Sequence, residues 1–276
     1  MAASALESVL KRDRLVALAS LIALGVLAWL YLLHLAAGMA AMDAPAGGMA
    51  DMPGMTMAPA EPAGAAAASD ALAELTFLAV MWSVMMVGMM LPSASATILL
   101  FAALERKRQV AGPFGRTALF ISGYFLVWVA FSIVAAAIQT ALANAGMLSA
   151  EMATTSAILG GAVFILAGLY EFTPLKDRCL THCRSPLEWI AHHQRPGGLG
   201  ALRMGAAHGL YCVGCCWMLM LLLFVGGVMN LLWVAAIAAI VLAEKLLPRG
   251  PLIARLAGVA LAVFGIVLIA RPFLPA

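Results

Sequence analysis

Long uncharged apolar stretches limit what this chain can become more than any other feature. A helix needs about 20 apolar residues to cross the hydrocarbon of a bilayer. Such runs are read at Leu15 to Ala37, Ala71 to Leu104, Phe114 to Leu142, Ala153 to Phe172, Met204 to Gly227, Leu231 to Leu247 and Leu252 to Ala270. With 64% hydrophobic and 11% charged residues among 276, there is far more apolar side chain than a soluble core of this length uses. Segments alternating with period two are absent, which argues against an outer-membrane barrel. The expected fold class is all-α, a polytopic transmembrane helical bundle of about seven spans.

Basic residues set the expected orientation, because cytoplasmic loops carry the excess of Lys and Arg. Fifteen of the sixteen fall in four places: Lys11, Arg12 and Arg14; Arg106, Lys107, Arg108 and Arg116; Lys176, Arg178, Arg184, Arg195 and Arg203; and Lys245, Arg249 and Arg255. Only Arg271 falls on the other side. Seven spans with the N-terminus in the cytoplasm segregate charge in this way. The chain then divides into a cytoplasmic N-terminus with a first transmembrane anchor (1–37), an external Met-rich flexible loop (38–70), and a six-span metal-binding membrane domain (71–276) with a cytoplasmic Cys/His loop at 173–203. The first apolar run exceeds the 7–15 residues or so of a signal-peptide core, so an uncleaved anchor is expected, with cleavage after it left open. The formal charge of +3 is carried by membrane-flanking loops and gives no reason to invoke nucleic acid. None of the five cysteines lies in a segment placed outside, so reduced thiols are expected rather than a disulfide framework.

The chemistry concentrates in Met204-Gly-Ala-Ala-His208-Gly-Leu-Tyr-Cys212-Val-Gly-Cys215-Cys216-Trp-Met-Leu-Met220. At about 100° per residue, His208, Cys212 and Cys215 share an arc of roughly 60°, with Cys216 beside it. Met204 and Met220 extend the stripe by a turn each way. Buried Cys is often only a small hydrophobe, but polar and ionisable groups inside a membrane are costly and usually functional. A second cluster, Cys179-Leu-Thr-His182-Cys183 with His192 and His193 nearby, brings soft donors to one side if helical. It suits Zn(II) with four ligands or Cu(I) with fewer. In the external loop Met49, Met52, Met55 and Met57 recur at short intervals. Thioethers are soft ligands suited to Cu(I) in an oxidising compartment; a low-complexity linker is the plain alternative. On the second span Met81, Met85 and Met89 share a face, while Met86 and Met90 lie on the other, and such stripes are more often adaptable packing than ligands. Pro92 on that span should kink or break the helix near Gly88 to Met89. Glu244 and Lys245 read as an ion pair at the membrane interface, with Lys245 snorkelling, and Glu171 reads as an ordinary span-end residue. No phosphate loop, zincin pattern or nucleophile elbow is present, so no catalytic residue is nominated.

Four separated patches carry a resemblance. They are Met81-Trp82 through Met89-Met90-Leu91-Pro92; Tyr170-Glu-Phe-Thr-Pro174 through Cys183-Arg-Ser-Pro186; Gly205-Ala-Ala-His208 through Cys215-Cys216-Trp217; and Gly226-Gly227-Val-Met229-Asn230 through Glu244-Lys245. In this order they resemble the bacterial "predicted metal-binding integral membrane protein" family, domain of unknown function 2182, over roughly 71–270. The resemblance implies a multi-pass protein of the bacterial inner membrane that binds a metal, and it supplies neither the metal nor a reaction. It implies functional roles for Cys179, His182, Cys183, His208, Cys212, Cys215 and Cys216, and more weakly for Met85 and Met89.

Three readings follow. The first is a transition-metal protein in the lipid bilayer, with copper(I) favoured and zinc possible chemically, acting in transport or in delivery to a metallochaperone or metal-receiving protein. The second is a membrane thiol-disulfide oxidoreductase using Cys212 and Cys215. The third is a haem-binding or assembly subunit with His208 as axial ligand. Nothing in the sequence sets an oligomeric state. A ligand relay from the outer Met loop through Met85, Met89 and the Cys stripe requires the second and fifth spans to face each other.

Overall fold

The computed structural model describes residues 2–43, 64–107, 113–149 and 152–271, with side chains described for 18–38, 71–107, 115–149 and 152–271. Ten helices follow in order: α1 (Ala2–Asp43), α2 (Gly64–Lys107), α3 (Pro113–Asn144), α4 (Ala157–Tyr170), α5 (Pro174–Arg184), α6 (Pro186–His192), α7 (Gly197–Leu221), α8 (Leu223–Gly226), α9 (Leu231–Leu246) and α10 (Gly250–Ala270). No strand is formed among the described residues; a single bridge joins Leu148 and Thr154. The all-helical expectation holds.

Five segments are long and apolar enough to cross a membrane: Leu18–Gly38, Ala71–Lys107, Gly115–Asn144, Gly197–Gly226 and Gly250–Ala270. A sixth is reached if α4 and α5, bent by 65° at their junction, count as one broken span. The seven-span expectation counted α9 as well, whose 16 residues fall short of the roughly 20 that a span needs. Local chemistry explains the breaks. Thr173 caps α5 by accepting from the Lys176 N–H, and Pro174 sits at its first turn, where a missing donor costs nothing. Ser156 caps α4 and Asn230 caps α9 in the same way. Gly227, at φ +90°, turns the chain out of α8.

Three sequence expectations are corrected. Residues 38–43 and 64–70, assigned to the flexible outer loop, are helical continuations of α1 and α2; the Ala-rich composition of these flanks favours helix. Met49, Met52, Met55 and Met57 lie outside the described residues. The Cys/His loop at 173–203 is two short helices and the first turns of α7, because Pro174, Pro186 and Gly197 start helices rather than sustain a loop. Pro92 does not break α2, which runs through it.

The bundle is held by close backbone approach. Between α3 and α7, a Cβ on Gly123 would run into the Leu202 carbonyl, and one on Gly205 into the Phe120 carbonyl. Between α4 and α10, Gly168 faces the Gly258 carbonyl. Lipid provides little hydrophobic drive for helix association, so such small-residue seams supply packing instead. Around them lies one core that includes all five methionines of α2 from Met81 to Met90, Trp82, Trp128, Tyr124 and the α7 cysteines.

A buried ion cluster ties the broken span to the rest. Lys176 at the start of α5 contacts Glu171, and its Nζ lies 2.8 Å from the Glu244 carboxylate on α9. All three side chains are shielded from solvent. This corrects two expectations. Glu171 is no idle span-end residue, and Glu244 pairs with Lys176 rather than with Lys245. The bend after Tyr170 carries Lys176 inward to a carboxylate that no local spacing reveals. Arg184, at the end of α5, binds the Glu244 carbonyl at 2.5 Å and the Pro248 carbonyl at 3.0 Å, fastening α5 to the turn between α9 and α10.

Candidate metal centre

Helical spacing on α7 places His208, Cys212, Cys215 and Cys216 toward the interior, and all four are at most 3% exposed. The sulfurs do not stand alone. Cys183, from the last turn of α5, lies beside the thiols of Cys212 and Cys215, and Cys212 also meets Cys216. Four thiols from two helices therefore converge. All five cysteines are free, as the sequence leads one to expect.

Cys212 is the hub. The Tyr124 hydroxyl lies 3.0 Å from its Sγ, and the Lys245 ammonium donates to the same sulfur at 2.9 Å. Lys245 also donates to the Ser93 hydroxyl at 3.3 Å. The snorkelling expectation for Lys245 is overturned: its ammonium points into the bundle, where one thiol and one hydroxyl accept its protons. The Cys215 and Cys216 thiols both donate to the Cys212 carbonyl, at 3.1 and 3.0 Å. Such bonding back onto the preceding turn satisfies buried S–H groups without any ion.

His208 sits one turn before Cys212, among the rings of Phe120, Tyr124 and Trp189, with centroids 5.1–6.2 Å away. Its Nδ1 is buried without a hydrogen-bond partner. A buried imidazole nitrogen with nothing to bind is costly, and Cys212 and Lys245 are near enough to act on it. An orphaned ring nitrogen one helical turn from Cys212 is a donor that a soft transition-metal ion accepts alongside thiols. Among the described residues, however, no three His, Cys, Asp or Glu groups are already spread around one ion position. The thiols of Cys215 and Cys216 would have to leave the Cys212 carbonyl to turn toward an ion.

The other sequence-nominated residues separate into groups. Cys179 is near Cys215, but its sulfur packs against Gly214 and takes no part in the thiol hydrogen bonds described above. His182 diverges from its neighbour Cys183: it stacks on Tyr211 at 4.3 Å and borders a cavity instead. Met81, Met85 and Met89 are buried, as are Met204 and Met220. The methionine that reaches the thiols is Met90, whose sulfur lies 4.0 Å from Cys216 Sγ. The helical wheel assigned Met90 to the opposite face from the Met81–Met85–Met89 stripe, and because α2 is enclosed on both sides here, burial did not single out one face.

Sequence reasoning missed Tyr124, Ser93, Lys245 and Met90. Only Lys245 carried a local signal, as a cation in a segment otherwise able to lie in hydrocarbon; that alone marks an intramembrane functional position. Tyr124 is 88 residues from its sulfur partner, and nothing in an apolar run distinguishes it.

Comparison with known proteins adds one finding. The family model described as PpoB2, copper chaperone, matches residues 79–268. That stretch contains every residue of the thiol cluster and begins after the first span and the outer loop. The match is to a copper-related family and does not bear the name of the domain of unknown function that the motifs resemble. No curated protein and no solved structure matches the chain.

Proposed function

Because the chain belongs to this copper chaperone family, we propose that it is a membrane-embedded copper carrier, holding Cu(I) as cargo and passing it to a receiving protein. The observation that carries this reading is the convergence of Cys183 with Cys212, Cys215 and Cys216 beside the unpartnered Nδ1 of His208. Thiolate, thioether and imidazole are the donors that retain Cu(I) against harder ions. Met90 stands at the edge of the same cluster.

In this reading Cys212 and Cys215 are the primary ligands, Cys183 and Cys216 complete or exchange with them, and His208 supplies a nitrogen donor. Each thiol that binds the ion gives up its proton. Tyr124 and Lys245 hold the Cys212 sulfur in place before the ion arrives, and the positive charge of Lys245 works against retention, as a carrier requires. The three α7 cysteines are about 1% exposed. Such burial favours a small ion over the disulfide of a protein substrate, which needs an accessible attacking thiolate. The aromatic rings packed around His208 occupy the space a porphyrin would take, which favours an ion over haem.

The test is to purify the full chain in mild detergent from copper-supplemented cells and measure metal content for wild type and Cys212→Ser. The expected result is copper in near-stoichiometric amount in the wild type and its loss from the variant. A wild type without copper, or equal copper in both, overturns the proposal.

A further inference from the structure

We propose that His182 and His193 form a docking site for Cu(I), two imidazoles at the mouth of the thiol cluster, from which the ion passes inward to Cys183. This rests on the copper-carrying reading and adds the route by which the ion enters or leaves.

A cavity of about 250 Å³ opens beside α5 and α6 and is bordered by His182, Glu188, Trp189, His192 and His193. His182 Nδ1 lies 2.7 Å from the Arg178 carbonyl, and His193 Nδ1 lies 2.9 Å from the Trp189 carbonyl. A carbonyl only accepts, so each Nδ1 carries the proton and donates. In each neutral ring Nε2 is then the nitrogen with the lone pair. That is the tautomer a metal-binding histidine adopts, with its second nitrogen fixed by an outer partner. Two histidines in one cavity are prepared in the same manner.

Both rings are also braced. His182 lies parallel to Tyr211 at 4.3 Å, and His193 stacks on Trp189 at 4.9 Å while meeting Tyr211 edge-on at 6.4 Å. Tyr211 therefore stands against both imidazoles. Among the described residues no third ligand closes the set. Cu(I), a soft d10 ion, accepts two donors, and a two-donor site releases it readily.

The cavity and the thiols are linked through neighbouring residues of α5 and α7. His182 and Cys183 are adjacent in α5, about 100° apart around the helix, so one faces the cavity while the other joins the thiol cluster. Tyr211 and Cys212 stand in the same relation on α7. An ion leaving the two imidazoles meets Cys183 next. Copper stays Cu(I) throughout: two Cu–N bonds give way to Cu–S bonds, and each ligating thiol loses its proton to water.

The experiment uses the full chain in detergent with Cu(I) supplied from a weak chelator. In His182→Gln/His193→Gln, with all cysteines intact, loading should slow about tenfold, through loss of the local concentration the docking site provides. The final copper content should equal that of wild type, which also shows that the variant is folded. In a second arm, Cys183, Cys212, Cys215 and Cys216 are all changed to Ser. X-ray absorption should then show Cu(I) bound by two nitrogens, and adding the two Gln changes should abolish it. Unchanged loading in the first arm, or no nitrogen-bound copper in the second, overturns the docking site and leaves the thiol centre standing. A wild type that takes up no copper overturns the carrier reading and this inference with it.

Discussion

Cys179 and Cys183 lie one helical turn apart on α5, yet only Cys183 lies beside Cys212 as well as Cys215. The spacing Cys-x2-His-Cys presents them as equals, and the sequence has no means of ranking them. What separates them is what each meets on α7: Cys179 lands on Gly214, where the absence of a Cβ leaves room for its sulfur. Cys183→Ser should therefore weaken copper retention by roughly tenfold or more, the scale of effect reached when a site loses part of its ligand shell. Cys179→Ser should change it by less than about twofold, since a hydroxyl replaces a thiol that only packs. Competition with a Cu(I) chelator reads both. Equal losses in the two variants would mean that Cys179 ligates after all. That His208 and the three cysteines of α7 share one buried face was legible because a helix repeats at a known angle. Met90 was not, because α2 buries both of its faces and a wheel cannot say which sulfur meets Cys216.

Helix seams decide where those side chains end up. Tyr124 reaches Cys212 because α3 and α7 approach closely enough for the Gly205 Cα to lie against the Phe120 carbonyl. A methyl group there meets backbone rather than a side chain, so it has no cheap way to relax. Gly205→Ala should cost about 1–3 kcal/mol or somewhat more. The apparent melting temperature in detergent should fall by several degrees, with weakened copper retention as Tyr124 moves off Cys212. Gly115 near the start of α3 has open space around its missing Cβ, so Gly115→Ala serves as control and should lose neither. An unchanged Gly205→Ala would show that the seam is looser than the geometry implies. The glycines were visible in the sequence, but their pairing was not, because periodicity describes one helix at a time. The same limit hid the Glu171–Lys176–Glu244 cluster, in which three short helices contribute one charge each. Removing one member of such a buried set typically costs roughly 3–5 kcal/mol through the charge it strands, which makes it the natural anchor for a span bent at Phe172–Thr173.

At the scale of the whole molecule, the segregation of basic residues was the strongest sequence signal, and the structure refines it. Lys176 and Lys245 are buried in the bundle, so they serve ion and thiol partners rather than loops and drop out of the orientation argument. Thirteen basic residues remain on the side assigned to the cytoplasm, against Arg271 alone, so the bias survives. The number of crossings depends on α9. Its 16 residues span about 24 Å at 1.5 Å per residue, short of a hydrocarbon layer near 30 Å, a mismatch that local thinning of the bilayer accommodates at modest cost. Arg249 and Arg255 on one side of α10 and Arg271 on the other argue that α10 crosses outward, and α9 must then cross inward before it. A reporter active only in the cytoplasm should therefore work at the N-terminus and fail after Arg271. Activity at both ends would reduce the crossings to an even number and remove α9 from the count. The thiol cluster would keep its geometry in either case, because Lys245 reaches it, and Glu244 reaches Lys176, from the end of α9 that adjoins α5. What changes is the end of the chain: with an odd number of crossings Arg271 lies across the membrane from the N-terminus, and with an even number it lies on the same side.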